Sequence, residues 1–334
     1  MTAAQRWVLE TRPDGVPGAD CFRLEEYDAA KPEGGVLARV EYFSIDPGMR
    51  SRLSGDSYSA ALGLGEVIES AGLARIIDSD TDKFAPGDLV MAGTGWQSHL
   101  ASSGKGLVKL DEGLFQGKLT VTAAIGVLGI PGLTAYFGLS DLGQPSPGET
   151  LLISSAAGTV GATAGQIGKM KGLTVVGIAG SDDKCAYLKA LGFDHAINYR
   201  TTDDLTGAIG AACPGGVDIV FDNVGGETLD AAIANTNPRA RLVISGAVSE
   251  YNRPVPRGIR NTTRFITHRL RMEGLVVFDY VKDFPAAQME MAGWIQSGAL
   301  SYREEIVEGI EAAPAAFTAL FDGSPAFGRR IIKL

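Results

Sequence analysis

Three small residues at fixed spacing, Ala156-x-Gly158-x-x-Gly161, separate an apolar run ending at Ile153 from a run of small residues that continues to Lys171-Gly172. A strand feeding a helix through such a turn can cradle a pyrophosphate. Backbone N–H groups at the helix N-terminus point at the phosphates, and the helix dipole favours their charge. Gly158 then lets the backbone approach the ligand, Gly161 lets the helix pack on the strand, and Thr159 and Val160 lie between them. Alanine stands where the first glycine is usual. Alone the pattern is weak, because glycines also end strands for steric reasons.

The flanking elements give it weight. Thr150–Ile153 reads as a strand, and the helix after the turn stops at Gly172, which suits a helix C′ position. Residues 173–179 read as a second strand, 182–191 as a helix stopping at Gly192, and 195–198, 217–222, 241–246 and 274–278 as further strands. Strands alternating with helices predict a doubly wound parallel sheet, a Rossmann α/β fold, with a dinucleotide on the glycine turn.

The chain of 334 residues is long enough for two domains. Its net charge of −9 argues against nucleic acid or an anionic membrane as partner, so an anionic cofactor must be held by local positive charge. Cys21, Cys185 and Cys213 form no CxxC and fit a reducing, cytoplasmic compartment. His99, His195 and His268 have no zinc-site spacing, so no metal is expected. The first residues lack the apolar core of a signal peptide. Residues 121–139 are the most apolar stretch, but Gly126, Gly129, Pro131, Gly132 and Gly138 interrupt it. A buried helix broken near Pro131 is expected there, not a membrane span.

Residues 1–125 read differently. Short alternating runs such as 35–44 and 87–92, separated by turns at Pro32-Glu-Gly-Gly35, Asp46-Pro-Gly48 and Ala85-Pro-Gly-Asp88, predict a mostly antiparallel β domain. Residues 126–300 carry the α/β alternation. The tail, 301–334, returns to strands at 304–308 and 330–334 around a helix at 311–321, and is expected to rejoin the first domain. The substrate would then lie in the cleft between the domains.

Several longer motifs carry a resemblance over the whole chain: Gly129-Ile-Pro-Gly-Leu-Thr-Ala-Tyr-Phe-Gly138, Ala156-Ala-Gly-Thr-Val-Gly161, Phe221-Asp-Asn-Val-Gly-Gly226, Ser249-Glu-Tyr-Asn252, Arg271-Met-Glu-Gly274 and Tyr302-Arg-Glu-Glu305. The chain resembles the zinc-independent branch of the medium-chain dehydrogenase/reductases. More narrowly it resembles the NADP-dependent alkenal double-bond reductase, prostaglandin reductase and curcumin-type reductase family. The resemblance implies a GroES-like β domain built from both chain ends, a central Rossmann domain, a homodimer and NADPH as cofactor. Where zinc-dependent relatives carry Gly-His-Glu, this chain reads Leu64-Gly-Glu-Val67, without histidine.

Chemistry bears on the choice of cofactor. An NAD enzyme places an acid at the end of the second strand for the ribose 2′-OH; here that point is Gly180-Ser181. Asp182 and Asp183 are near enough to keep NAD in play, although carboxylates also suit a helix start. The resemblance puts Lys184 and Tyr199 on the 2′-phosphate of NADPH; without it, Lys184 reads as a solvated helix lysine and Tyr199 as a strand-end aromatic. It makes Asn223 a ribose or nicotinamide contact, where the bare sequence allows a turn-forming Asn. It lays Ser245, Gly246, Ala247, Val248 and Ser249 along the nicotinamide, and gives Leu275, Val276 and Val277 backbone contacts to the carboxamide.

The same resemblance makes Tyr251 the catalytic residue, bonded to the nicotinamide ribose 2′-OH and through it to the substrate carbonyl. Tyr42, Gly48 and Ile130 are implied in the substrate pocket. The implied reaction is hydride transfer to the β-carbon of an enal or enone, with charge developing on the carbonyl oxygen. A preorganised donor at such an oxygen is worth roughly 3–4 kcal/mol. No side chain stands out as proton donor to the α-carbon, and water can serve.

Departures from the family pattern concentrate at the substrate. Asp46-Pro-Gly-Met-Arg50 carries Gly48 where tyrosine is common, which widens the pocket; Ala326 replaces a cofactor-contacting Asn, and Thr267 an aromatic. A quinone reductase on the same scaffold is the nearest alternative, and a non-catalytic NADP-binding redox sensor the alternative of another class.

Overall fold

The computed structural model describes residues 2–55, 60–322 and 326–334. The chain divides into two compact units, Met1–Ile125 with Glu304–Leu334, and Gly126–Arg303.

In the first unit β1 (Thr2–Leu9) and β2 (Phe22–Ala29) form an antiparallel ribbon. There follow β3 (Val36–Ser44), helix α1 (Met49–Ser54), β4 (Ala71–Ser79), β5 (Leu89–Gly93), β6 (His99–Ser102) and β7 (Val108–Lys109). β3 is the spine, antiparallel to both β4 and β6. The Ala85-Pro-Gly-Asp88 signal makes its turn as expected: the Ala85 N–H donates to the Asp88 carboxylate at 2.9 Å, and Gly87 takes φ +96°.

The second unit contains α2 (Ile130–Phe137), β8 (Thr150–Ile153), α3 (Thr159–Met170), β9 (Thr174–Ala179), α4 (Asp182–Ala190), β10 (His195–Asn198) and α5 (Leu205–Ala212). It continues with β11 (Val217–Asp222), α6 (Gly226–Ala234), β12 (Thr236–Ile244), α7 (Thr263–Thr267), β13 (Arg271–Gly274) and α8 (Phe284–Ser297). Among the described residues its strands form one parallel sheet in the order β10-β9-β8-β11-β12-β13. Both faces are covered. Leu151, Ile153, Val175 and Phe221 pack into one apolar cluster, and Leu152, Val176, Ile178 and Val220 into another. Alternate residues therefore go to opposite buried faces, which is why these strands read as continuous apolar runs.

The chain then returns to the first unit through β14 (Glu304–Glu308), α9 (Ala313–Thr318) and β15 (Arg329–Lys333). β15 pairs antiparallel with β3 and parallel with β14, so that sheet is mixed, though mostly antiparallel. Phe317 from α9 closes an aromatic core with Trp96 and Phe22, ring centroids 5.7 and 6.1 Å away.

Three local expectations are corrected. The sixth parallel strand is Arg271–Gly274, not 274–278. Leu275 makes its last ladder bond, N–H to Ile244 O at 2.9 Å, and Val277–Asp283 wind into 3₁₀ turns that bury Val277 against Leu133 and Phe137. The apolar run there is bought by helix packing, which composition cannot tell from a buried strand. Pro131 does not break a helix; it sits in the first turn of α2, where its missing N–H costs nothing. The tail helix is shorter than 311–321, with a 3₁₀ turn at Ile310–Ala312 ahead of α9. Among the described residues no helix is long and apolar enough to cross a membrane.

Candidate functional site

In the second unit the chain runs outward from β8 through β9 to β10 and then returns to place β11 on the other side of β8. Loops at the C-terminal ends of β8 and β11 therefore diverge and leave a crevice, the place where sheets of this kind bind ligands. The glycine turn lies there. Gly158 is the N-cap of α3 at φ −76° and ψ 168°, and its carbonyl accepts from the Ala162 N–H at 2.9 Å. A Cβ on Gly161 would stand 2.6 Å from Ala156 Cα and 2.8 Å from Ser155 O, so only glycine lets the helix sit this close. A Cβ on Gly158 would meet only Ser155, at 3.5 Å. The Thr159 hydroxyl in the first turn is buried and has no partner among the described residues. A buried hydroxyl without a partner is costly, and together with free amides at a helix start it fits a diphosphate.

The ends of β9 and β10 form the next group. Tyr199 lies across Gly180: a Cβ there would be 3.0 Å from its ring and 3.2 Å from its hydroxyl. Ser181 caps α4 by accepting from the Lys184 N–H at 3.3 Å. Gly180, Ser181, Lys184 and Tyr199 thus converge. Asp182 is committed elsewhere, since its carboxylate accepts from Asn198 Nδ2 at 2.8 Å. Arg200, which the sequence reading passed over, places its guanidinium 5.9 Å from the centre of the Tyr199 ring. Its only sequence signal is a basic residue directly after a strand-end tyrosine.

A third group gathers where β8, β11 and β12 end. Ser154 Oγ donates to Asp222 Oδ1 at 2.6 Å and accepts from the Asn223 N–H at 2.8 Å, while Asn223 Nδ2 donates to Ser154 O at 2.8 Å. The Asp222 carbonyl accepts from Ser245 N at 2.8 Å and Gly246 N at 3.2 Å. Val248 and Ser249 donate to the carbonyls of Asn223 and Val224 at 3.2 and 3.0 Å. Tyr251 closes this loop: its hydroxyl accepts from the Ala247 N–H at 3.2 Å and so keeps its own proton for another acceptor. Burial raises the Asp222 carboxyl above its ordinary range, against the bonds from Ser154, Gly225 and Val224. Neither Ser154 nor Asp222 figures in the sequence reading. The signal available was a small polar residue at each of two adjacent strand ends.

With this geometry in hand, the comparisons are specific. The family described as the N-terminal domain of oxidoreductase matches residues 5–110, and the one described as zinc-binding dehydrogenase matches residues 159–293. The NADPH-dependent curcumin reductase of Escherichia coli is 41% identical over 339 residues, covering 99% of this chain and 96% of the relative. Prostaglandin reductase 1 of Rattus norvegicus is 40% identical over 337 residues, covering 100% of both chains. The chain belongs to the NADP-dependent alkenal, prostaglandin and curcumin reductase family of the medium-chain dehydrogenase/reductases. The crystal structure of CurA from Vibrio vulnificus in complex with NADPH superposes with a TM-score of 0.90 at 37% identity, covering 98% of both chains.

The family's description includes zinc, and the donor set here does not suit it. Among the described residues no three His, Cys, Asp or Glu side chains are placed to hold a metal. The thiols are also poor candidates. Burial, then Asp182, raises Cys185, and burial pushes Cys213 up to about 11.

The other positions expected near the substrate are placed as follows. Ile130 is the exposed first residue of α2 in the second unit. In the first unit Tyr42 lies on β3, half-buried against Leu73, Leu89, Ile125 and Ile331. Gly48 precedes α1 with helical φ −61° and ψ −24°, and a Cβ there would meet nothing within 4 Å. Neither backbone nor packing in that unit demands glycine at 48. The turn is anchored by Asp46, which Arg329 grips with two nitrogens and Ser44 Oγ reaches at 3.1 Å. Glu304, half-buried at the start of β14 in the returning tail, accepts from Thr122 Oγ1 at 2.6 Å, and burial raises its carboxyl.

Proposed function

We propose that this protein reduces the carbon–carbon double bond of α,β-unsaturated aldehydes and ketones with NADPH. The supporting observation is the arrangement at the C-terminal edge of the parallel sheet, where an open amide turn at α3 adjoins a strand end that carries Lys184 and Arg200 and whose Asp182 is engaged by Asn198. Family membership supports the same reading. Gly158, Thr159, Val160 and Gly161 hold the diphosphate by backbone N–H groups, and Lys184 and Tyr199 take the 2′-phosphate as a point charge and a hydroxyl donor. Asn223, Ser245–Ser249 and the backbone of Leu275–Val277 line the nicotinamide half. Bound there, NADPH supplies a hydride for the substrate β-carbon.

Tyr251 has the role of orienting a donor. With one bond spent on the Ala247 amide, its proton is directed to the nicotinamide ribose, whose 2′-OH then faces the substrate carbonyl oxygen as negative charge develops. Tyr42, Gly48 and Ile130 shape the substrate pocket, and water protonates the α-carbon. The protein works as a homodimer in the cytoplasm. β13 is an outer strand of its sheet with every residue exposed, and Met272, Phe278 and Val281 are exposed around it, an edge that a second copy would cover.

The test is a substrate screen following NADPH absorbance across alkenals, cyclic enones and quinones. Turnover of alkenals and enones is expected. Turnover of quinones alone would assign a quinone reductase instead, and tight NADPH binding without any turnover would assign a sensor.

A further inference from the structure

Two glycine-rich turns meet at the switch point, and their amides are used differently. The turn before α3 leaves the Thr159 hydroxyl without a partner among the described residues. The turn after β11 passes through Gly225 at φ +74° and Gly226 at φ +54°. Successive N–H groups in such a turn converge into an anion-binding nest. Here the nest is filled from within. The Val224 and Gly225 N–H groups donate to the Asp222 carboxylate at 3.3 and 2.8 Å, and the Asn223 N–H donates to Ser154 Oγ. Asp222 is 1% exposed and Ser154 3%, and no cation among the described residues pairs with this carboxylate. A buried carboxylate held only by neutral donors is costly, and an apolar residue could fill the same strand end without that cost.

We propose that Asp222 is a positioning residue for the nicotinamide half of the cofactor. Its carboxylate cancels the field of the second turn, so the diphosphate goes to the first. Its bond to Ser154 orients the hydroxyl that accepts from the Asn223 N–H and so fixes the Asn223 backbone, and its carbonyl holds the Ser245–Gly246 backbone. The proposal rests on the NADPH reading above. Asp222 does not itself touch the reacting atoms.

The test uses Asp222→Asn and Ser154→Ala in the full chain, with two probes titrated separately. NADPH spans the whole site. Adenosine 2′,5′-bisphosphate carries only the adenosine half, with a 2′-phosphate that belongs with Lys184 and Tyr199 and a 5′-phosphate that belongs with the turn before α3, and it lacks the nicotinamide half. Asp222→Asn turns an acceptor into a donor facing an N–H group; Ser154→Ala removes one hydroxyl and keeps the fold if the first variant does not. In each variant NADPH binding should weaken by about tenfold or more, the scale of a bond to a charged group. Binding of the bisphosphate should stay within about twofold of native. The double variant should be little worse than the weaker single, because both act through one bond. Parallel weakening of both probes would overturn the proposal in favour of general support of the fold, as would native NADPH binding by folded variants. A native protein that binds neither probe would overturn the NADPH reading itself, and this proposal with it.

Discussion

Gly158 and Gly161 stand three residues apart in one turn, and the structure assigns them opposite kinds of intolerance. A methyl at 161 would lie 2.6 Å from Ala156 Cα, about 0.8 Å inside the 3.4 Å at which ordinary contact begins. The obstacle is backbone at Ser155 and Ala156, which cannot swing aside like a side-chain tip. Gly161→Ala must therefore push α3 away from β8. Overpacking of this kind costs about 1–3 kcal/mol. For a unit of this size each kcal/mol moves Tm by about 2–4 °C, so a fall of roughly 2–12 °C is expected. Gly158→Ala meets only ordinary contact at 3.5 Å, and φ −76° with ψ 168° suits any residue. Its Tm should stay within about 1 °C of native, but the methyl would stand in the open space proposed above for the diphosphate, and NADPH affinity should fall about tenfold, or 1.4 kcal/mol. Thermal melts without cofactor and NADPH titrations of both variants give the answer. A Gly158→Ala protein that binds NADPH as the native does, or a Gly161→Ala protein with unchanged Tm, would refute the division of labour.

Other outcomes are expected from single substitutions. Lys184→Ala should weaken NADPH by about tenfold or more while barely moving NADH, measured by titrating both cofactors; equal native affinities for the two would count against the 2′-phosphate assignment. Tyr251→Phe should lower kcat by about tenfold to several-hundredfold with a smaller change in KM, and Tm slightly, since one bond to the Ala247 amide is lost; unchanged kcat would leave Tyr251 as a loop anchor. Arg329→Leu should strand Asp46. Burial raises that carboxyl, but the charge and hydrogen bonds of Arg329 outweigh it and hold it below its ordinary value. A carboxyl with a depressed folded pKa stabilises above its unfolded value and loses that contribution as pH falls through the folded one. Arg329 is 7% exposed but Asp46 38%, so solvent screens part of the pair, and the loss at neutral pH should be about 2–3 kcal/mol rather than the 3–5 of a fully buried pair. The deficit should shrink as pH is lowered and the stranded carboxyl, raised by burial without Arg329, takes up a proton; chemical denaturation at several pH values checks this, and a deficit independent of pH would count against it.

Much of the nucleotide-binding unit was legible because its signals are local. The run Thr150–Ile153, the glycine at 172 and the strands 195–198 and 217–222 sit where their patterns put them, since a strand buried on both faces and a helix ending in a left-handed glycine leave marks in adjacent residues. The stretch 274–278 misled because its burial comes from Leu133 and Phe137, more than a hundred residues earlier. The glycine turn before α3 was legible for the same local reason. The Ser154–Asp222 bond and the Asp46–Arg329 pair were not, because each joins residues that only the sheet brings together, 68 and 283 positions apart. Gly48 shows a different limit: the sequence marks the residue, but only coordinates reveal that its backbone is helical and its surroundings open.

The interleaving of the chain also orders its synthesis. The unit Gly126–Arg303 is contiguous, so it can fold as soon as it leaves the ribosome. The first unit cannot. Until the final residues emerge, the Tyr42–Ser44 end of β3 lacks β15, and the Trp96 and Phe22 rings lack Phe317. A nascent chain therefore carries a waiting half-sheet with an open edge and an uncapped aromatic cluster for nearly its whole length, the kind of surface that recruits chaperones. A premature stop just before α9 would leave the nucleotide unit whole while stranding that edge permanently, so such truncations should aggregate through the N-terminal residues rather than through the Rossmann sheet.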